Sequence, residues 1–243
     1  MLISDKFGSI SRLLSPSAEA LKGVNAREKA YWIIRDKIIY MDLKPGEPVS
    51  DKLLAEQLEM SRTPVREALI SLSAYNMVVM KPQIGTFVTP IDPEWVAIEQ
   101  FSRLTMEKEI IRQVCKQDTE ALYRSFEKNL AQFESCENSN ASNRIRTLHE
   151  LDNDFHGLAF AACGKINSYF HMHSYMQHIE RLRVLTLMLN TDKGINNDHR
   201  LIAEAVRSRD VDSALAYLED HLSIYKDSVR RAQALHPEYF TLG

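Results

Sequence analysis

Residues 53–69 read LLAEQLEMSRTPVREAL. As one amphipathic helix the stretch has a fault, because Pro64 in a helix interior costs about 3 kcal/mol. As two helices and a turn it has none. Ser61 can cap a new helix, and proline in a first turn removes only an N–H that has no acceptor there. The spacing therefore predicts a helix opened by Ser50 with Leu54 and Leu58 inside. A second, opened by Ser61, repeats Val65, Leu69 and Leu72 at i, i+4, i+7. Its first turns carry Ser61, Arg62, Thr63 and Arg66, short hydroxyls and guanidiniums that suit phosphates and the paired acceptors of guanine.

Outward from this pair the pattern extends both ways. Upstream, Ala30, Ile33, Ile34, Ile38 and Met41 form one apolar stripe on a helix that Asn25 can cap, and DLKPGEPVS (42–50) turns the chain. Downstream, Asn76 can end the recognition helix. MVVMK and TFVTP around the loop PQIG then read as a two-stranded wing. Residues 1–25 are expected to be a partly ordered extension. A short amphipathic helix through Ile3, Phe7, Ile10 and Leu14 is the alternative.

TPIDPE (89–94) marks a boundary, and no proline follows until Pro237. That stretch is helical by pattern. Breaks near Lys116–Asp118, at 134–143, at Gly164, at 190–198 and near Arg209–Asp210 predict about six helices. The fold class expected is mainly α: an N-terminal winged helix-turn-helix over 26–90, a C-terminal antiparallel all-helical bundle over 94–231, and a tail over 232–243.

Composition bounds the function. The chain has 243 residues, 44% hydrophobic and 26% charged, ordinary for a soluble globular protein. It has no apolar run long enough for a membrane span and no secretory signal, so no membrane partner is expected. Cys115, Cys136 and Cys163 are odd in number and far apart, which suits a reducing cytoplasm. The net charge of −3 gives no general support to nucleic-acid binding, which must rest on the local basic residues.

The bundle holds a second constellation. Asp152 and His156, in LDNDFHGLAF, share one helix face, and His199 and His221 lie on later helices. Three converging helices could aim one carboxylate and three imidazoles at a divalent ion. By spacing alone this signal is weak, since interface and hydrogen-bonded core histidines are common. There are eight histidines, and His149 shares the face of Asp152 and His156. His171, His173 and His178 are assigned no ligand role. In FSRLTMEKEI, Arg103 is four residues from Glu107. It can pair with that carboxylate or face a pocket, where its planar fork suits an acid. Arg183 is a further candidate.

LAEQLEMSRTPVREAL with QIGTFV resembles the GntR family of bacterial transcription regulators, over roughly residues 26–90. The resemblance implies DNA contacts by Lys52, Arg62, Thr63 and Arg66, supported by Ser61, with Gly85 at the wing tip in the minor groove. Gln83 and Ile84 stand where the wing often carries basic residues, and Lys81 is the nearby cation. Residues from about 94 to 231 resemble the all-helical FCD ligand domain of the FadR subgroup. That resemblance implies a metal held by Asp152, His156, His199 and His221, zinc foremost, with nickel, manganese or iron compatible. It also implies a small carboxylate effector held by Arg103, and a homodimer on an inverted-repeat DNA operator. A long-chain acyl effector is not implied, since the acyl-binding members lack this ligand set. The expected function is a DNA-binding regulator without enzymatic activity, controlled by a small organic acid at the metal. The alternatives are a regulator that senses the metal itself and a metal-dependent hydrolase or oxygenase fused to a DNA-binding module.

Overall fold

A computed structural model describes residues 2–3, 9–16, 19–189 and 194–241. The first of its two layers is a winged head. Helix α2 (Ala26–Ile39) starts where the Asn25 side chain accepts the Glu28 amide, and it buries Ala30, Ile34 and Ile38. Helix α3 (Asp51–Gln57) is capped by Ser50, which accepts the Leu53 amide. Its Leu54 is buried, whereas Leu58, just beyond, is only partly so. Helix α4 (Arg62–Ala74) has Pro64 in its first turn and buries Val65, Leu69 and Leu72 against α2 and α3. Ser61 occupies the capping position, but its side chain makes no capping hydrogen bond. That leaves the first turn's amides open to an outside acceptor. Asn76 follows the helix in the left-handed conformation, at φ 55°.

The wing is β2 (Val78–Lys81) paired with β3 (Gly85–Val88) in antiparallel register, Val78 opposite Val88 and Lys81 opposite Gly85. A third strand was not anticipated. Pro48–Val49, inside the segment read as a plain turn, forms β1 and pairs with the free edge of β3, giving the order β1-β3-β2.

The second layer is the bundle: α5 (Pro93–Val114), α6 (Glu120–Glu137), α7 (Arg144–Ala162), α8 (Ile166–Tyr175), α9 (Gln177–Leu189), α10 (Ile195–Arg207), α11 (Val211–Ser223) and α12 (Tyr225–Leu235). Among the described residues these are eight helices rather than about six. The two extra breaks fall at Met176 and Ile224, where no glycine or proline announces them. The first has a tertiary cause. Glu99 of α5 accepts the amides of His178 and Ile179, so a carboxylate from another helix caps α9.

Both chain ends are tied down. Ile10, 0% exposed, lies beside Gly157 of α7, where an added Cβ would meet its side chain at 2.8 Å. The Ser11 amide bonds Asp154 at 2.6 Å, and Ser11–Leu14 forms the short helix α1. Residues 10–14 of the extension are thus docked, because a residue without a side chain leaves a recess for Ile10. Phe7, part of the alternative reading, lies outside the described residues. At the other end Phe240 is buried and bridges in parallel to Ile91 of the linker.

Head and bundle share a continuous apolar core that includes Ile34, Leu69, Val96, Phe126 and Phe155. Polar ties reinforce the seam. Asp36 of α2 meets Arg146 of α7 at 2.9 Å and accepts from Ser15. Arg181 of α9 donates to the Thr89 carbonyl. His178 accepts the Asp92 amide at Nδ1, 3.0 Å, and sets Nε2 3.0 Å from the Asn76 side-chain amide.

Candidate functional site

Asp152 and His156 stand one turn apart on α7, so helix geometry alone puts them on one face. Packing of α10 and α11 adds His199 and His221. One ligand atom from each of the four lies within 4.8 Å of the others. Asp152 Oδ1 is 3.1 Å from His199 Nε2 and 3.8 Å from His156 Nε2. All three atoms are buried without a hydrogen bond of acceptable geometry. Each such atom costs about 1–3 kcal/mol unless something satisfies it. A divalent cation at their meeting point would satisfy all three, so the residues present fit the group.

The surroundings prepare the donors. Glu107 of α5 takes the His156 Nδ1 proton at 2.6 Å and the Arg103 Nε proton at 2.7 Å. A carboxylate only accepts, so His156 carries its proton on Nδ1 and turns a bare Nε2 to the cluster. Burial would raise the Glu107 carboxyl, but His156 and Arg103 outweigh it and hold the group well below the usual carboxylate range. His156 itself is lowered, chiefly by burial, and burial takes His199 down to about 3. Both shifts favour the neutral imidazole, the form in which histidine ligates a metal. Asp198 approaches His221 Nδ1 at 3.4 Å in the same sense. Phe155 lies flat on His199, rings 3.9 Å apart and 4° from parallel, which fixes that ring's plane.

A cavity of about 70 Å³ opens beside the cluster, lined by residues including Gln100, Arg103, Asp152, Arg183, His221 and Tyr225. Arg103 both pairs with Glu107 and lines the cavity. Its Nε pairs with Glu107, while its Nη2 is buried with no acceptor. Arg183 is more committed: it donates to Asp152, to Glu180 and, at 2.7 Å, to Asn153 Oδ1. Asp152 feels burial upward, yet Arg183 and His199 hold it well below the normal range.

His149, on the same face of α7, does not join the cluster. It meets Glu180 at 2.9 Å through Nε2 and Tyr40 at 3.2 Å through Nδ1. His173 is buried near Glu180, His178 is at the seam and His171 is exposed. Sequence reading missed Gln100 and the outward role of Glu107. Gln100, Arg103 and Glu107 recur at i, i+3, i+7, a signal that one face of α5 is polar and buried.

On the winged head Lys52, Ser61, Arg62, Thr63, Arg66, Lys81 and Gly85 are all exposed. Arg62 is held by both oxygens of Asp51 at 2.9 Å. Arg66 makes no ion pair among the described residues. Gly85, at φ 140°, adopts a backbone that a side chain would strain. No described helix is long and apolar enough to cross a membrane.

Comparison with known proteins agrees with both layers. The family described as "Bacterial regulatory proteins, gntR family" matches residues 26–88, and the FCD domain matches residues 101–223. An HTH-type transcriptional regulator in an unstable DNA locus of Streptomyces ambofaciens is 30% identical over 219 residues, covering 90% of this chain and 91% of the relative. The HTH-type transcriptional repressor RspR of Escherichia coli K12 is 25% identical over 215 residues, 88% of this chain and 93% of RspR. A solved structure, a transcriptional regulator GntR from Rhodococcus sp. RHA1, superposes with a TM-score of 0.67 at 19% identity, covering 86% of this chain and 97% of that one. The chain belongs to the GntR family of bacterial transcription regulators, with an FCD domain behind its winged head.

Proposed function

We propose that this regulator binds its operator under the control of a small organic acid held at a divalent metal in the bundle. The observation that carries the reading is the set of buried, unsatisfied donor atoms of Asp152, His156 and His199, with His221 within 4.8 Å. These four residues would hold the ion, which when bound supplies a Lewis-acidic anchor for a carboxylate oxygen. The Arg103 Nη2 would take the other end of the acid. Ser61, Arg62, Thr63 and Arg66 would meet the major groove and its phosphates, with Lys52 and Gly85 alongside.

A route from site to head supports the reading. Arg183 joins Asp152 to Glu180, Glu180 meets His149, and His149 meets the hydroxyl of Tyr40 at the end of α2. A change of charge at Asp152 thus reaches the head through three further side chains. A ligand shifts the balance of head positions only as far as it binds one arrangement better than the other.

An inverted repeat needs two heads. Trp95, Ile98 and Phe101, 47%, 53% and 71% exposed along α5, form an apolar strip that a second copy would cover.

The test measures operator affinity in metal-stripped, metal-loaded and metal-loaded-plus-acid protein, with small carboxylic acids as probes. A change that requires both metal and acid supports the reading. A change that follows metal alone makes the protein a metal sensor, and no change in either arm removes the regulatory role of the site.

A further inference from the structure

The cavity beside the cluster offers its ligand two unmatched groups of opposite kind. One is the Arg103 Nη2, a donor with no acceptor. The other is the side-chain oxygen of Gln100, 4% exposed and also without a partner. The orientation of this amide is set, because its Nε2 donates to the Leu222 carbonyl at 2.6 Å. The nitrogen end is committed to the end of α11, and the oxygen end remains. Gln100 stands one turn before Arg103 on the same face of α5, and both line the cavity.

A simple carboxylate would satisfy the arginine and leave the amide oxygen bare. A buried acceptor left unmatched in a complex weakens binding. The complementary ligand therefore brings a hydrogen-bond donor as well as an acid group. An ammonium donor is disfavoured, since Arg103 and Arg183 both line the same small space. A neutral hydroxyl fits. The cavity of about 70 Å³ keeps the ligand small.

We propose that Gln100 is a specificity-determining residue that selects hydroxy acids over the corresponding unsubstituted acids. This rests on the acid-at-metal reading above. Arg103 would take the carboxylate and Gln100 would accept the hydroxyl proton, so the acid group and the hydroxyl are read by different residues of one helix face.

The experiment is titration calorimetry on metal-loaded, full-length protein with small acid pairs that differ by one hydroxyl: propionate against lactate and succinate against malate. In at least one pair the hydroxylated member binds tighter by roughly tenfold. Gln100→Met, which keeps the volume but removes both the acceptor and the Nε2 donor to Leu222, reduces that preference below about threefold. Equal binding within every pair overturns the role of Gln100 while leaving the acid-at-metal reading intact. A preference that survives in Gln100→Met also overturns it. Absence of binding by any of these acids to protein shown to hold its metal overturns both. Gln100→Leu, which also lacks the acceptor, serves as the second variant should the first fail to fold.

Discussion

Replacing Glu107 by Gln separates a structural ion pair from a residue that tunes the metal site. Glu107 is 4% exposed and bonds two partners, His156 Nδ1 at 2.6 Å and Arg103 Nε at 2.7 Å. Gln keeps the shape but carries one acceptor oxygen, so one of the two bonds is lost. The amide also lacks the charge that fixes the His156 proton on Nδ1. Losing such a supporting carboxylate lowers metal affinity by about 10- to 100-fold, or roughly 1.4–2.7 kcal/mol. Arg103 simultaneously loses its buried counter-charge. Complete removal of a partner in a buried pair costs about 3–5 kcal/mol, and the retained amide oxygen lessens that cost. Against a total stability of about 5–15 kcal/mol the apo fold survives. Zinc affinity is measured by competition with a chromophoric chelator, and apo stability by urea unfolding. The expected result is a loss in both. Unchanged zinc affinity, within about twofold of wild type, together with lowered apo stability would refute the reasoning and leave Glu107 as a partner of Arg103 alone.

Arg66→Ala is expected to weaken specific operator binding more than binding to random duplex, measured by fluorescence anisotropy at fixed salt. Equal loss on both would make Arg66 a phosphate contact only. Tyr40→Phe removes the hydroxyl beside His149, and metal affinity should stay while the change in operator affinity caused by metal and acid shrinks by at least about threefold, part of a coupling that typically spans 5–150-fold. An unaltered response would break the proposed route at its last step. Phe101→Glu should turn the proposed dimer into a monomer in light scattering, and a dimer mass retained in the variant would move the contact elsewhere. His178 should make the fold acid-sensitive. Burial and then the Arg181 charge push its imidazole down to about 3, below its unfolded value near 6.5. Between those values the unfolded chain binds a proton that the folded one does not, so stability falls as pH drops, by roughly 2 kcal/mol at pH 5. Glu99, raised by burial to about 7, works in the opposite direction nearby. The difference between wild type and His178→Gln in urea unfolding at pH 7.5 and 5 isolates the histidine, and identical curves would remove it from the seam's pH dependence.

The head was largely legible in the sequence, for a local reason. Asn25, Ser50, Pro64 and Asn76 act through the backbone within a few residues of themselves, so their positions announce α2, α3 and α4 without knowledge of the rest. Asp152 and His156 were legible as a pair because a helix repeats its face every turn. What local rules do not reach is set by how helices pack. The break at Met176 comes from Glu99, 77 or more residues away in sequence, and β1 forms because β3 has an edge to offer. Glu107 looked like the intrahelical partner of Arg103, and only the approach of α7 makes it the carboxylate that orients His156. His149 and His156 lie on the same helix face, yet one faces the cluster and the other Tyr40 and Glu180, a difference decided by which helix packs opposite each. Periodicity specifies which side of a helix is buried. The partners it meets there depend on distances and crossing angles between segments far apart in the chain, and these belong to the tertiary structure alone.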